Sequence, residues 1–213
     1  MPYSLVIFDL DGTLVDSFPW FRSTVNAVAA RYRFREVKEE DVEMLRHAST
    51  REILDHLKIS WWKIPLVARH MRKLKTAHAR NIPLFDGVAT MLSTLTANGV
   101  RLALVSSDTE ANAREKLGGC AALFSDFDCS ASIFGKAQKF RRVMQRARLD
   151  AAEVIAIGDE TRDIEAARMV GIACGAVTWG YAAPKALIDR KPDFVFTGMD
   201  EIAAMVLRDV PRL

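Results

Sequence analysis

The chain has 213 residues, 50% of them hydrophobic and 27% charged, a composition that suits one soluble globular domain or a core with a modest insertion and excludes a low-complexity or disordered chain. No stretch approaches the roughly 18 consecutive apolar residues of a membrane span, and the N-terminus enters a strand-like run without a basic leader and cleavage site, so neither a membrane anchor nor a signal peptide is expected. The net charge of +3 is too small to identify a partner, and only its distribution is informative.

Leu5-Val6-Ile7-Phe8 predicts a buried strand that runs into Asp9 and, one residue later, Asp11. Burying a carboxylate is costly unless it is paired or bound to a metal, so two acids at such a position signal a site. Residues i and i+2 of a strand project to one side, and Gly12 lets the backbone turn and approach a ligand closely. Two neighbouring carboxylates repel each other, and a bound cation relieves this. An Asp-Gly turn accounts for part of the signal by itself.

From about Val15 to Leu84 the periodicity is only helical: Val25, Val28, Ala29 and Tyr32, then Ile53, Leu54 and Leu57, then Leu66, Val67, His70, Met71 and Leu74. A compact α/β domain does not leave a structureless loop of that length between strands, so an all-helical domain inserted after the first strand is expected. Positive charge collects here, with 14 Lys or Arg against 8 Asp or Glu between Asp16 and Leu84. Lys58 to Arg80 holds seven basic residues and no acidic one. Trp61-Trp62 opens that stretch. Aromatics among cations can serve nucleic-acid binding, but the expectation here is that the tryptophans pack the insertion beneath a solvated basic face. The four histidines, His47, His56, His70 and His78, have no metal-ligand spacing.

Beyond the insertion, Val88, Met91, Leu92 and Leu95 share one helical face, which Asn98-Gly99 ends. The strand Leu102–Val105 then runs into Ser106-Ser107-Asp108 and a helix from Asp108 to Leu117. Hydroxyls and free N–H groups at a helix N-terminus make a phosphate cradle, although Ser and Asp are also ordinary N-caps. After a weaker strand near Phe127–Ser130 comes Phe134-Gly135-Lys136, opening a helix that runs to Ala147. The helix dipole disfavours a cation in the first turn, so an anion is expected beside Lys136. The missing upstream glycine and Ala137 exclude a P-loop. The strand Val154–Ile157 leads into Gly158-Asp159, with Asp163 on the first turn of a helix from Thr161 to Val170 that Gly171 ends. Strands at Ala173–Val177 and Phe194–Phe196 complete the alternation. The fold class is therefore α/β, a Rossmann-like parallel sheet with helices on both faces, plus the inserted all-helical cap. Ligands of such sheets bind beyond the carboxyl ends of the strands, which is where all four clusters lie. Carboxylates suit a hard cation such as Mg²⁺; lysine and hydroxyl suit a phosphate.

Asp9-Leu10-Asp11-Gly12-Thr13, Ser106, Lys136 and Gly158-Asp159 with Asp163, in that order, resemble the four motifs of the haloacid dehalogenase superfamily, and the insertion resembles the cap of its phosphoglycolate phosphatase-like branch. The resemblance runs from Leu5 to roughly Val177 and implies a catalytic core of residues 1–14 and 85–213 with a cap of residues 15–84. It implies a phosphatase for a small phosphomonoester, phosphoglycolate-like or a sugar phosphate, acting in the cytoplasm without nucleic acid or membrane. Asp9 would be the nucleophile that forms an aspartyl-phosphate, and Asp11 the general acid and base. Ser106 and Lys136 would hold the transferring phosphoryl group, with Ser107 beside them. Mg²⁺ would sit among Asp9, Asp11 (through its backbone carbonyl), Asp159 and Asp163, the last orienting Lys136 or a water. In related caps the segment that holds Arg46, His47 and Arg51 lies over the active site, which makes these three the candidates for the non-reacting part of the substrate. The lysine motif departs from the branch's Gly-Lys-Pro, reading Gly135-Lys136-Ala137-Gln138. A phosphomutase shares every motif, and a silent binding or regulatory module would keep the fold. A dehalogenase would lack the acid at Asp11. Cys120, Cys129 and Cys174, scattered and odd in number, suit reduced thiols.

Overall fold

The structure is a computed structural model that describes residues 3–129 and 135–208; Ser130 and Phe134, from the expected third strand and lysine motif, lie outside them. Six strands, β1 (Leu5–Phe8), β2 (Arg101–Ser106), β3 (Asp126–Cys129), β4 (Val154–Gly158), β5 (Ala173–Val177) and β6 (Phe194–Phe196), form one parallel sheet in the order β3-β2-β1-β4-β5-β6. The chain moves outward from β1 through β2 to β3, then returns to β4 on the other side. The order therefore reverses between β1 and β4, which opens a crevice at their carboxyl ends. Phe8 pairs with both Leu104 and Ile157, so the residues after β1, β2 and β4 emerge nearly level.

Alternation along each strand feeds two cores. Val6, Phe8, Leu102, Leu104, Ile155 and Ile157 face one side, and Leu5, Ile7, Ala103, Val105, Val154 and Ala156 face the other. Among the described residues the α-helices are α1 (Phe18–Tyr32), α2 (Val42–His47), α3 (Thr50–His56), α4 (Ile64–His78), α5 (Val88–Ala97), α6 (Glu110–Leu117), α7 (Lys136–Ala147), α8 (Thr161–Val170), α9 (Pro184–Ile188) and α10 (Met199–Val206). Met91, Leu92 and Leu95 of α5 and Ile202 and Val206 of α10 cover the first core, while Phe140 and Val143 of α7 and Ile164 and Ala167 of α8 cover the second. Every core strand and helix expected from the sequence is present, with ends moved by a residue or two. The helix expected from Asp108 begins at Glu110, because the Thr109 hydroxyl caps it by accepting from the Asn112 N–H at 3.2 Å. α9, only five residues long, is too short for periodicity to reveal.

The insertion consists of α1 to α4 and short 3₁₀ turns. Pro19 and Pro65 sit in the first turns of α1 and α4, where the lost N–H has no partner to lose, and Ser49 and Glu52 close a capping box on α3. Its two connections to the core pair with each other: Asp16 N–H donates to the Pro83 carbonyl at 2.9 Å and Phe85 N–H to that of Leu14 at 3.0 Å. Trp61 and Trp62 do not pack the insertion. They lie 82% and 55% exposed on a one-turn 3₁₀ segment, too short to aim two adjacent rings inward. Among the described residues no helix is long and apolar enough to cross a membrane.

Candidate active site

β1 delivers Asp9 to the crevice and β4 delivers Asp159, both among the least exposed polar residues of the chain. Asp163 joins them from the first turn of α8. There its carboxylate accepts from the Glu160 N–H at 3.0 Å, one half of a capping box. One oxygen from each of these three carboxylates lies within 4.8 Å of the others. The expected anion beside Lys136 is present twice over. The lysine, at the first position of α7, has its Nζ 3.0 Å from Asp9 Oδ2 and also pairs with Asp163. Burial works against the Lys136 charge, but Asp163 and Asp9 outweigh it and hold its pKa above the ordinary lysine value. Gly135, with φ of 97°, turns the chain into that position.

Asp159 accepts from the Thr13 hydroxyl at 2.8 Å and the Tyr181 N–H at 2.8 Å, neither of which brings a charge. Burial pushes its carboxyl well up, and Glu160, Asp9 and Asp163 push the same way. Burial likewise raises Asp9, with Lys136 opposing. Three buried acids of which two share one lysine, in a set of hard oxygen donors, are what a divalent cation relieves. Gly12, at φ 78°, belongs to the same fit, because a Cβ there would run into the Asp159 carboxylate.

Asp11 faces the same cavity as Asp9 but stands apart from the three-carboxylate cluster. Its oxygens are taken by Lys75 of α4, at 2.8 Å, and Lys116 of α6, at 3.0 Å; Lys116 also reaches Asp108 at 2.7 Å. Burial would raise the Asp11 carboxyl, yet the two lysines overcome this and hold it far below the usual carboxylate range. Ser106 is buried, its hydroxyl accepts from the Asp108 N–H at 3.0 Å, and its carbonyl accepts from Lys139 at 2.6 Å. Burial, helped by Lys136, lowers the Lys139 pKa to about 8. Ser106 and Ser107 both line the cavity.

The cap candidates separate. Arg46 donates from Nε to the Tyr181 carbonyl at 3.0 Å and from Nη2 to that of Gly180 at 3.2 Å, while its own carbonyl accepts from the Ala183 N–H at 2.8 Å. It ties α2 to the loop after β5. His47 is exposed and lies 3.3 Å from Glu43, and Arg51 is exposed; neither lines the cavity. Sequence reasoning assigned no role to Lys75, Lys116, Thr13 or Tyr181. The segment Thr178 to Tyr181, which carries the last of these, floors the site, with Trp179 Nε1 donating to the Thr13 carbonyl at 3.1 Å and the Tyr181 hydroxyl 3.0 Å from Ser17 Oγ.

Residues 6–177 match the family model described as haloacid dehalogenase-like hydrolase. The chain is 35% identical over 193 residues to a phosphoglycolate phosphatase of Synechococcus elongatus, across 89% of this chain and 91% of that protein. It is 26% identical to phosphoglycolate phosphatase 1 of Pseudomonas aeruginosa, across 96% and 83%. A haloacid dehalogenase-like family hydrolase from Streptococcus pneumoniae shares the fold, with TM-score 0.79 and 22% identity over 95% of this chain and 98% of that one.

Proposed function

The chain belongs to the haloacid dehalogenase-like hydrolases, in their phosphoglycolate phosphatase-like branch, and from this we propose that it hydrolyses a small phosphomonoester through an aspartyl-phosphate on Asp9, with Mg²⁺ in the acidic cluster. The observation that carries the reading is the grouping of Asp9, Asp159 and Asp163 within 4.8 Å, with Lys136 against Asp9 and Asp163. A carboxylate poised as a nucleophile toward a dianionic phosphate needs positive charge on both sides of the attack. Lys136 supplies one side. Asp9, Asp159 and the Asp11 backbone carbonyl would hold the ion, which neutralises phosphoryl charge and lets two anions approach each other.

An Asp9 oxygen attacks phosphorus and the bond from phosphorus to the ester oxygen breaks, the leaving oxygen taking a proton from Asp11. Asp11 then accepts a proton from water as that water attacks phosphorus, which releases inorganic phosphate and restores Asp9. Ser106 and Ser107, which line the cavity, would meet the phosphoryl oxygens. Asp163 keeps Lys136 on Asp9. With Lys75 and Lys116 both in place Asp11 is ionised, the form that the water step uses; for the proton-donating step this hold on Asp11 would have to loosen.

The test is phosphate release from 2-phosphoglycolate and p-nitrophenyl phosphate, with Mg²⁺ and with a chelator, combined with mass spectrometry of acid-quenched protein. Metal-dependent release and a phosphoryl adduct on the peptide that contains Asp9 are expected. Conversion of sugar phosphates to isomers without phosphate release would move the chain to the phosphomutases. No reaction and no adduct would make it a silent fold.

A further inference from the structure

The reacting residues open onto a cavity of about 350 Å³ that extends from the sheet edge into the insertion. Its catalytic end is charged, with Asp9, Asp11 and Lys75. Its far end is not. On α4 the lining positions Ile64, Val67, Ala68 and Met71 follow helical spacing for two turns before the stripe reaches Lys75 at the catalytic mouth. On α3 the lining residues Ile53 and Leu54 continue the apolar surface, with Leu57 buried just past its end, and Phe18 and Phe21 line the same cavity from α1, where both rings also meet Tyr181. Apolar stripes of this kind ordinarily close on one another to make a core. Here α3 and α4 carry no fully buried residue, so those stripes line a space instead of filling it.

The cations along the same wall are already engaged. Arg22 pairs with Glu39 at 2.6 Å, Arg46 with the Gly180 and Tyr181 carbonyls, and Lys75 with Asp11; Arg72 is engaged as well. The wall thus offers apolar surface to the part of a substrate that lies beyond the phosphate, and its cations are held by other partners.

We infer that the preferred substrate is a phosphomonoester whose alcohol portion is apolar, a short alkyl chain or a ring, inserted into the insertion's cavity while the phosphate meets Asp9. This rests on the phosphatase reading above and narrows it. A free apolar ligand or a protein segment would not need the cavity to begin at the nucleophile.

The experiment compares ethyl, butyl and hexyl phosphate as substrates with Mg²⁺ present, and measures by calorimetry the binding of the corresponding alkylphosphonates, which do not turn over. Transfer of one methylene from water into an apolar site is worth about three- to fourfold, so kcat/KM and affinity should each rise on the order of a hundredfold from ethyl to hexyl. V67W, which places an indole in the apolar end, should reduce that hexyl-to-ethyl ratio to below about tenfold. A flat or falling series in both measurements overturns the inference and makes the space a loosely packed core, while leaving hydrolysis of 2-phosphoglycolate free to support the phosphatase reading. Phosphonate affinity that rises with length, in a protein that hydrolyses none of these esters, keeps the apolar site and sinks the phosphatase reading.

Discussion

Lys75, in the last turn of α4, sets its Nζ 2.8 Å from the Asp11 carboxylate, so a side chain of the insertion holds a carboxylate at the edge of the core sheet. Lys116 holds the other oxygen of the same carboxylate from α6, and also Asp108. The two lysines are not equivalent. The Lys75 side chain keeps 16% of its surface exposed and Lys116 none, so water can replace the first and not the second. Lys75→Met should cost about 1–3 kcal/mol of stability, the worth of a charge-assisted hydrogen bond. Lys116→Met takes the lysine from the buried Asp108 and leaves Asp11 to Lys75 alone, and should cost about 3–5 kcal/mol. Denaturant unfolding of both variants checks the order; equal losses would mean that Asp108 and Asp11 find water when Lys116 is gone.

Asp9→Asn should lower turnover by at least about a thousandfold, since an amide does not accept a phosphoryl group and only binding and electrostatic assistance remain. The fold should survive, because the amide oxygen can still accept from Lys136, which Asp163 also holds. Circular dichroism with phosphate-release kinetics makes the comparison. A folded variant that turns over at the parent rate would remove Asp9 from the chemistry.

Asp159→Asn separates charge from hydrogen bonding. An asparagine can accept from the Tyr181 N–H and donate to the Thr13 hydroxyl, so both contacts survive while the charge goes. The Asp159 carboxyl is raised in the fold by burial first and then by Glu160, Asp9 and Asp163. A raised carboxyl favours the fold while it is protonated, and that contribution is lost as pH climbs from the ordinary Asp value through the raised one. Without metal, Asn should therefore stabilise the protein by about 1–3 kcal/mol at neutral pH, and by less near pH 4. The gain in melting temperature expected of the parent with Mg²⁺ should shrink in the variant. Melting curves across pH, with and without Mg²⁺, decide it: a gap between variant and parent that does not change with pH contradicts the charge argument.

The three acids that meet at the crevice were legible because each stands where the pattern changes: Asp9 and Asp159 at the ends of apolar runs, Asp163 in a first turn. Lys136 was legible for the opposite reason, as a cation where the helix dipole opposes one. Their uncharged and cationic partners were not. Lys75 is 64 positions from Asp11 and Lys116 is 105, and Thr13 is 146 from Asp159, so only the folded sheet brings them together. Periodicity showed that the insertion is helical and which stripes are apolar. It does not report the distance between facing stripes, so neither the cavity nor the exposure of Trp61 and Trp62 could be read from it. The rotation of α3 escaped it too, and that rotation separates Arg51 from Arg46.

Arg46 and Arg51 were alike in the sequence, two cations in one short segment expected over the active site. In the fold they differ in kind. Arg46 makes two hydrogen bonds to carbonyls of the loop that carries Tyr181, and its guanidinium lies 5.6 Å from the centre of the Phe18 ring. Tyr181 in turn donates its N–H to Asp159. Losing Arg46 therefore loosens the support of Asp159 whatever the substrate, and Arg46→Ala should lower kcat/KM by a similar factor, about ten- to a hundredfold, for 2-phosphoglycolate and for p-nitrophenyl phosphate. A direct contact with the alcohol portion would instead penalise one ester over the other. Arg51 is exposed and outside the cavity lining, so Arg51→Ala should stay within about twofold of the parent on both esters. Kinetics of the two variants on the two esters resolves the assignment. A selective loss in Arg46→Ala would return that residue to substrate recognition, and any large loss in Arg51→Ala would require α3 to turn its charged face toward the site during turnover.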